Sequence, residues 1–172
     1  MAEELAIITD NRDLAMIQIR ADLNRAGDAI AEATGLAMPE PTRIVSDGSR
    51  SIGWMSPDEL LMILPEAELA DALNALESAL AGEHALVLDV SDMRAVIDVK
   101  GARADEVLAK LAPVDFASLP ADGLRRTRLA QIACGLWQID GGYRVIAFRS
   151  VSEYMRGILT GAARPGSSLA PR

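Results

Sequence analysis

The chain has 172 residues, half of them apolar, enough to build the core of one large domain or of two small, intimately packed units. Seventeen Lys and Arg against 25 Asp and Glu give a formal net charge of −8, which repels phosphate backbones; with two each of Trp, Tyr and Phe, stacking platforms for single-stranded nucleic acid are also missing. One Cys and one His exclude an internal disulfide framework and a Cys-rich zinc site, leaving only a carboxylate-held metal, which no spacing supports.

The polar opening MAEELAIITD has no basic segment ahead of an apolar core, so residues 1–13 are expected to form an N-terminal arm rather than a secretory signal. The longest apolar run, Leu60 to Leu64, cannot span a bilayer, and together these features predict a soluble cytoplasmic protein. LAMIQIRAD from Leu14 reads as a strand, and LNRAGDAIAEATGL sets Leu23, Ala26, Ile30 and Ala33 at helical spacing. After the Pro-rich AMPEPT come two short strands about a turn at Ser56-Pro57-Asp58-Glu59; the second, Leu60 to Leu64, is apolar on both faces and should be covered by a helix on one side and by the other repeat or a partner subunit on the other. EAELADALNALESAL then aligns Leu69, Leu73, Leu76 and Leu80 on one helical face.

HALVLDVSDMRAVIDVKG reads as a strand pair interrupted at Ser91-Asp92, and ARADEVLAKLA carries the helical stripe Ala104, Val107, Leu108 and Leu111. Beyond the Pro-bearing PVDFASLPADG, the strands TRLAQIACGLWQID and YRVIAFRS meet at Asp140-Gly141-Gly142, a hairpin signature. A final helix opens on a capping box, Ser150 and Glu153, and is expected to bury Val151, Tyr154, Ile158 and Leu159. The segments 14–80 and 95–161 thus repeat one order of elements, with Ala15 to Arg20 falling on Ala95 to Lys100 and Trp54 on Trp137. This predicts an α+β protein in which two βαββα ferredoxin-like repeats pack as one domain over 14–161, followed by a Gly-, Pro- and Ser-rich flexible tail over 162–172.

No constellation for catalysis emerges from the residues. Cys134 as a nucleophile needs a nearby base, and the single His84 lies half a chain away, so Cys134 reads as a small buried hydrophobe. Asp89, Asp92 and Asp98 crowd one strand pair, but alternate side chains point to opposite faces, and solvated strand ends account for them; Asp92-x-Arg94 reads as fixing the bend. LRRTR, residues 124–128, is the one basic concentration, either a solvated strand lead-in or a dock for an acidic partner surface. Gly141-Gly142 belongs to a hairpin and no phosphate loop exists. The twin tryptophans favour pseudo-symmetric core packing over a ligand clamp. Neither catalytic nor metal-binding residues are assigned, and cofactor-binding residues stay unknown.

WMSPDELLMILP, VLDVSDMRAVIDVKGARADEVLAKLAPVDF and RTRLAQIACGLWQIDGGYRVIAFRSVSEYMRGIL resemble the gamma subunit family of heterotetrameric sarcosine oxidase over most of residues 52–160. The resemblance rests on Asp89-x-Ser91-x-x-Arg94, Gly101-Ala102, Pro113-x-Asp115, Arg126-Thr127 and Arg149-Ser150 in this order and spacing; Leu60 stands where a further tryptophan is expected. It implies a folate-binding-aminomethyltransferase-like fold and a non-catalytic subunit with no cofactor of its own. Its partners would be alpha, beta and delta subunits, in a complex that oxidatively demethylates sarcosine with FAD, FMN and NAD and passes the one-carbon unit to tetrahydrofolate. In the aminomethyltransferases a strand after a Gly-rich lead carries an essential acid; the comparable place here reads Cys134-Gly135-Leu136-Trp137, with no carboxylate before Asp140, which counts against folate chemistry by this chain. A stand-alone folate-binding protein and an unrelated interaction module are the alternatives. Without partners the chain is expected to self-associate.

Overall fold

A computed structural model describes residues 4–169. In chain order these form β1 (Ile7–Asn11), β2 (Leu14–Arg20), α1 (Leu23–Thr34), β3 (Ile44–Ser46), β4 (Ser51–Ser56), β5 (Glu59–Pro65), α2 (Leu69–Ala79), β6 (Leu86–Asp89), β7 (Arg94–Lys100), α3 (Ala104–Ala109), β8 (Leu124–Leu129), β9 (Ile132–Ile139), β10 (Gly142–Phe148) and α4 (Ser152–Ala163). They gather into two compact units, one of residues 13–92 and one of the residues before 13 with those from 93 onward. No helix among the described residues is long and apolar enough to cross a membrane.

In the unit of 13–92 the antiparallel strand order is β3-β4-β5-β2-β6. Asp22 caps α1 by accepting from the Asn24 amide at 3.0 Å, and Gly35 ends it in the left-handed region at φ 69°, where an L side chain is strained. Ala26 and Ile30 of α1 and Leu76 of α2 pack with Ile17, Ile19, Leu60, Met62 and Leu64 into one core. β5 is apolar on both faces, as its sequence requires: Leu60, Met62 and Leu64 meet the helices, while Leu61 and Ile63, also buried, point the other way.

The second unit repeats the plan as β1-β7-β10-β9-β8, with Val107, Leu108, Met155 and Leu159 packed on Ile97, Val99, Leu136 and Val145. β7 stands to this sheet as β2 does to the other, eighty residues earlier, in agreement with the alignment of AMIQIR on AVIDVK. The α+β repeat is therefore present, but each copy carries one strand more than the sequence suggests. β3 precedes the first hairpin, and TRLAQIACGLWQID is two strands that turn at Ala130-Gln131. Ala130 takes φ 52° there and its amide donates to the Leu111 carbonyl at 2.7 Å; neither residue carries a turn signature, so an unbroken apolar pattern conceals the corner.

Several further expectations are corrected. Within the segment read as an arm, Ile7–Asn11 is an edge strand antiparallel to β7, and Leu5 and Ala6 enter the core. β6 and β7 are not a pair: β6 is an edge strand of one sheet and β7 an inner strand of the other, and between them Asp89 accepts from the Ser91 amide and hydroxyl where residues 91–93 form a tight 3-10 turn. The Ser150–Glu153 box is not made: residues 149–151 form a 3-10 turn, α4 begins at Ser152, and it buries Met155, Leu159, Ala162 and Ala163 while Tyr154 is exposed. Of the segment read as a flexible tail, Ala162 and Ala163 belong to α4. The Lys110 ammonium donates to the Ala162 carbonyl and the Ser167 hydroxyl, and the Leu169 amide donates to Glu106 at 2.7 Å. Residues 1–3 and 170–172 lie outside the described residues.

The two tryptophans do not match either. Trp54 shares a face with Ile52 and packs on the helix-side core of its unit, whereas Trp137 follows the core residue Leu136 and points to the opposite face, away from the helices of its own. With a period of two, an offset of one residue sends equivalent-looking side chains to opposite faces.

Candidate functional site

Cys134 sits on β9 with its side chain in the core, 7% exposed, and burial pushes its thiol up to about 11. At neutral pH it is a protonated hydrophobe and not a nucleophile. An aromatic disulfide reagent at pH 8 is expected to label the native chain roughly two orders of magnitude more slowly than the urea-unfolded chain. Equal rates would show that Cys134 is reachable and activated.

His84 is exposed in the loop before β6, on the rim of a cleft of about 910 Å³ within the unit of 13–92. The charged groups of that cleft engage one another: Arg20 donates to Asp58 at 2.5 Å and Arg25 lies 3.2 Å from Glu83. Arg20 and Ser56 hold the Asp58 carboxyl below the usual carboxylate value. These are surface pairs, each setting one guanidinium against one carboxylate. A second cleft, of about 550 Å³, lies in the other unit beside Gly101 and Arg103, and Arg103 likewise donates to Glu106.

The three aspartates do not act together. Asp89 is exposed and holds the Ser91 turn, and Asp92 stands within that turn. Asp98, expected at a solvated strand end, is instead buried, 7% exposed, on the face of β7 opposite the helices. Arg144, its cross-strand partner on β10, donates to both carboxylate oxygens at 2.7 and 2.8 Å, and Asn11 of β1 adds a bond at 3.4 Å. Burial works to raise the Asp98 carboxyl, but the paired bonds and charge of Arg144, with Asn11, outweigh it and hold the group below its usual value. The signal available in the sequence was a charge set inside each of two apolar strand runs, AVIDVK and YRVIAF, whose pairing makes them neighbours. Such a bidentate, fully engaged pair fixes the register of three strands and offers no free base or acid. Asp140, the remaining acid of interest, is exposed in the hairpin turn. No three of His, Cys, Asp and Glu come together as a metal site among the described residues.

β8 carries Arg125, Arg126 and Arg128, all exposed, at the outer edge of its sheet. The basic stretch is thus a strand in its own right and not a lead-in to one.

The chain is of the doubled ferredoxin-like α+β class, with Arg20, Arg25, Arg103 and Arg144 each set against a carboxylate. Its fold is that of the glycine cleavage system aminomethyltransferase T from Bartonella henselae, with a TM-score of 0.70 at 12% identity over 93% of this chain and 46% of that one. The chain belongs to the sarcosine oxidase gamma subunit family, whose model matches residues 20–163. It is 37% identical over 115 residues to the gamma subunit of sarcosine oxidase from Corynebacterium sp. (strain P-1), an alignment covering 64% of this chain and 55% of that protein. To the Arthrobacter sp. gamma subunit it is 34% identical over 128 residues, covering 71% and 62%. The chain therefore spans less than two thirds of the length of these relatives. A chain of the heterotetrameric sarcosine oxidase from Corynebacterium sp. U-96, solved in complex with pyrrole 2-carboxylate, matches all of this chain and 91% of its own length at TM-score 0.89 and 27% identity.

Proposed function

We propose that this chain is the non-catalytic gamma subunit of a heterotetrameric sarcosine oxidase, one member of a multisubunit complex with alpha, beta and delta partners. The observation that carries this reading is the match, over the whole chain, to a chain of the Corynebacterium complex. The complex would oxidatively demethylate sarcosine and pass the one-carbon unit to tetrahydrofolate, with FAD, FMN and NAD held by the larger subunits. What supports a scaffolding part for this chain is its chemistry: a protonated Cys134, an Asp98 already gripped by Arg144, and a cleft whose arginines are paired.

The chain purified alone is expected to show no flavin absorbance and no sarcosine oxidation, and to co-purify with flavin-bearing subunits when produced with them. Sarcosine oxidation by the isolated chain, or stoichiometric flavin on it, overturns the reading. The likeness in fold to the aminomethyltransferase gives a second reading, a stand-alone folate binder. Saturable heat on titrating the isolated chain with tetrahydrofolate would favour it; none at about millimolar ligand, a binding free energy weaker than about 4 kcal/mol, would dismiss it.

A further inference from the structure

The formal charge of the chain is divided unevenly. Residues 13–92 hold 15 acidic and 4 basic side chains, a net of −11, whereas residues 1–12 with 93–172 hold 10 acidic and 13 basic, a net of +3. Within the second unit the arginines at 125, 126 and 128 concentrate on β8. Arg125 and Arg128 make no ion pair or side-chain hydrogen bond among the described residues, unlike Arg103, Arg144 and Arg156, each of which meets a carboxylate.

Edge strands often carry charge to discourage pairing with other sheets, but that need does not account for this strand. The other three edges, β1, β3 and β6, contain no Lys or Arg at all. A generic guard would be shared among the edges, and an acidic chain would supply it with acids. The exposed guanidinium groups of Arg125 and Arg128, on a strand whose outer side has no neighbour in its sheet, are instead placed to attract carboxylates by charge. The acidic unit of the chain repels an acidic partner, and this strand attracts it, so charge alone selects the approach.

We propose that β8 is the docking edge of this chain for a carboxylate-rich surface of a partner subunit, an inference that rests on the assembly role argued above. The test measures association of the full chain with the flavin-bearing subunits. Wild type is compared with Arg125→Glu/Arg128→Glu, with Arg125→Lys/Arg128→Lys, and with Arg12→Glu/Arg164→Glu, which changes net charge equally elsewhere in the same unit. At about 50 mM salt the β8 reversal should weaken binding at least about tenfold, chiefly through a slower association rate, and the deficit should shrink at about 500 mM. The lysine pair should stay within about threefold of wild type and the control reversal should bind as wild type. Equal binding by wild type and the β8 reversal, or an equal loss in the control, overturns the proposal while leaving assembly intact. Wild type that fails to bind the flavin-bearing subunits at all overturns the assembly reading and this proposal with it. Salt-sensitive self-association of the isolated chain that the β8 reversal abolishes, with subunit binding unchanged, assigns the edge to a second copy and likewise overturns it.

Discussion

Asp98→Ala lowers the unfolding free energy by about 3–5 kcal/mol, because it leaves the Arg144 guanidinium buried without its counter-charge. Side-chain exposures of 10% for Asp98 and 19% for Arg144 keep solvent from taking over that role. Urea unfolding in a Trp54→Phe background, followed by the fluorescence of Trp137, reads the loss directly, since Trp137 pairs with Arg144 across β9 and β10. Arg144→Met alone should cost a similar amount by stranding the carboxylate. Asp98→Leu with Arg144→Met should recover most of it, since well-packed apolar replacements of a buried pair are often neutral. A single-mutant loss under about 1 kcal/mol would mean that the pair is effectively solvated. The pair also sets a pH dependence. The Asp98 carboxyl is lower in the folded chain than in the unfolded one, where it is near 3.9, so its contribution is whole above the unfolded value. It drains as pH falls through the folded value. The stability gap between wild type and Asp98→Asn should therefore be constant from about pH 6 to 8 and close below about pH 4.

Gly142→Ala is expected to be at least as damaging, with a loss of about 3 kcal/mol or more, or failure to fold. A Cβ at Gly142 would stand 2.0 Å from the Val99 carbonyl oxygen and 2.9 Å from the Lys100 Cα. Both obstacles are backbone of β7, so no side-chain rotation makes room, and the Gly142–Lys100 end of the β7–β10 ladder has to open. Gly157→Ala is the matched control: it lies on α4 with nothing within 4 Å, and removing a helical glycine there should stabilise by about 0.5–1 kcal/mol. Similar melting temperatures for the two variants would contradict the close approach of β7 to Gly142.

These two sites also mark where the sequence was readable and where it was not. The doubled order of elements was legible because helical stripes such as Ala104, Val107 and Leu108, and turns such as Pro57-Asp58 and Asp140-Gly141, are written in local chemistry. β1 was not legible, since Ile7 and Ile8 are followed by Thr9, Asp10 and Asn11, and only the register against β7 makes a strand of them. The corner at Ala130 was hidden for the opposite reason, an apolar pattern that runs through it. Asp98 and Arg144 lie 46 residues apart, so their union depends on strand pairing that no local pattern encodes. Trp54 and Trp137 mislead for a simpler cause: likeness of residue type carries no parity, and parity decides the face. The basic stretch at 124–128 was visible as composition, whereas its place at the rim of a sheet was not.

The strand that completes the second sheet is synthesised before every strand of the first. Ile7 pairs with Lys100, so β1 leaves the ribosome and stays without its partner until β7 emerges, an interval of about 5–20 s at ordinary elongation rates. Meanwhile β2 through β6 can close their own sheet. Translation therefore imposes an order of maturation, early for residues 13–92 and late for the rest. Deleting β1 would harm the unit whose other strands are made after residues 13–92.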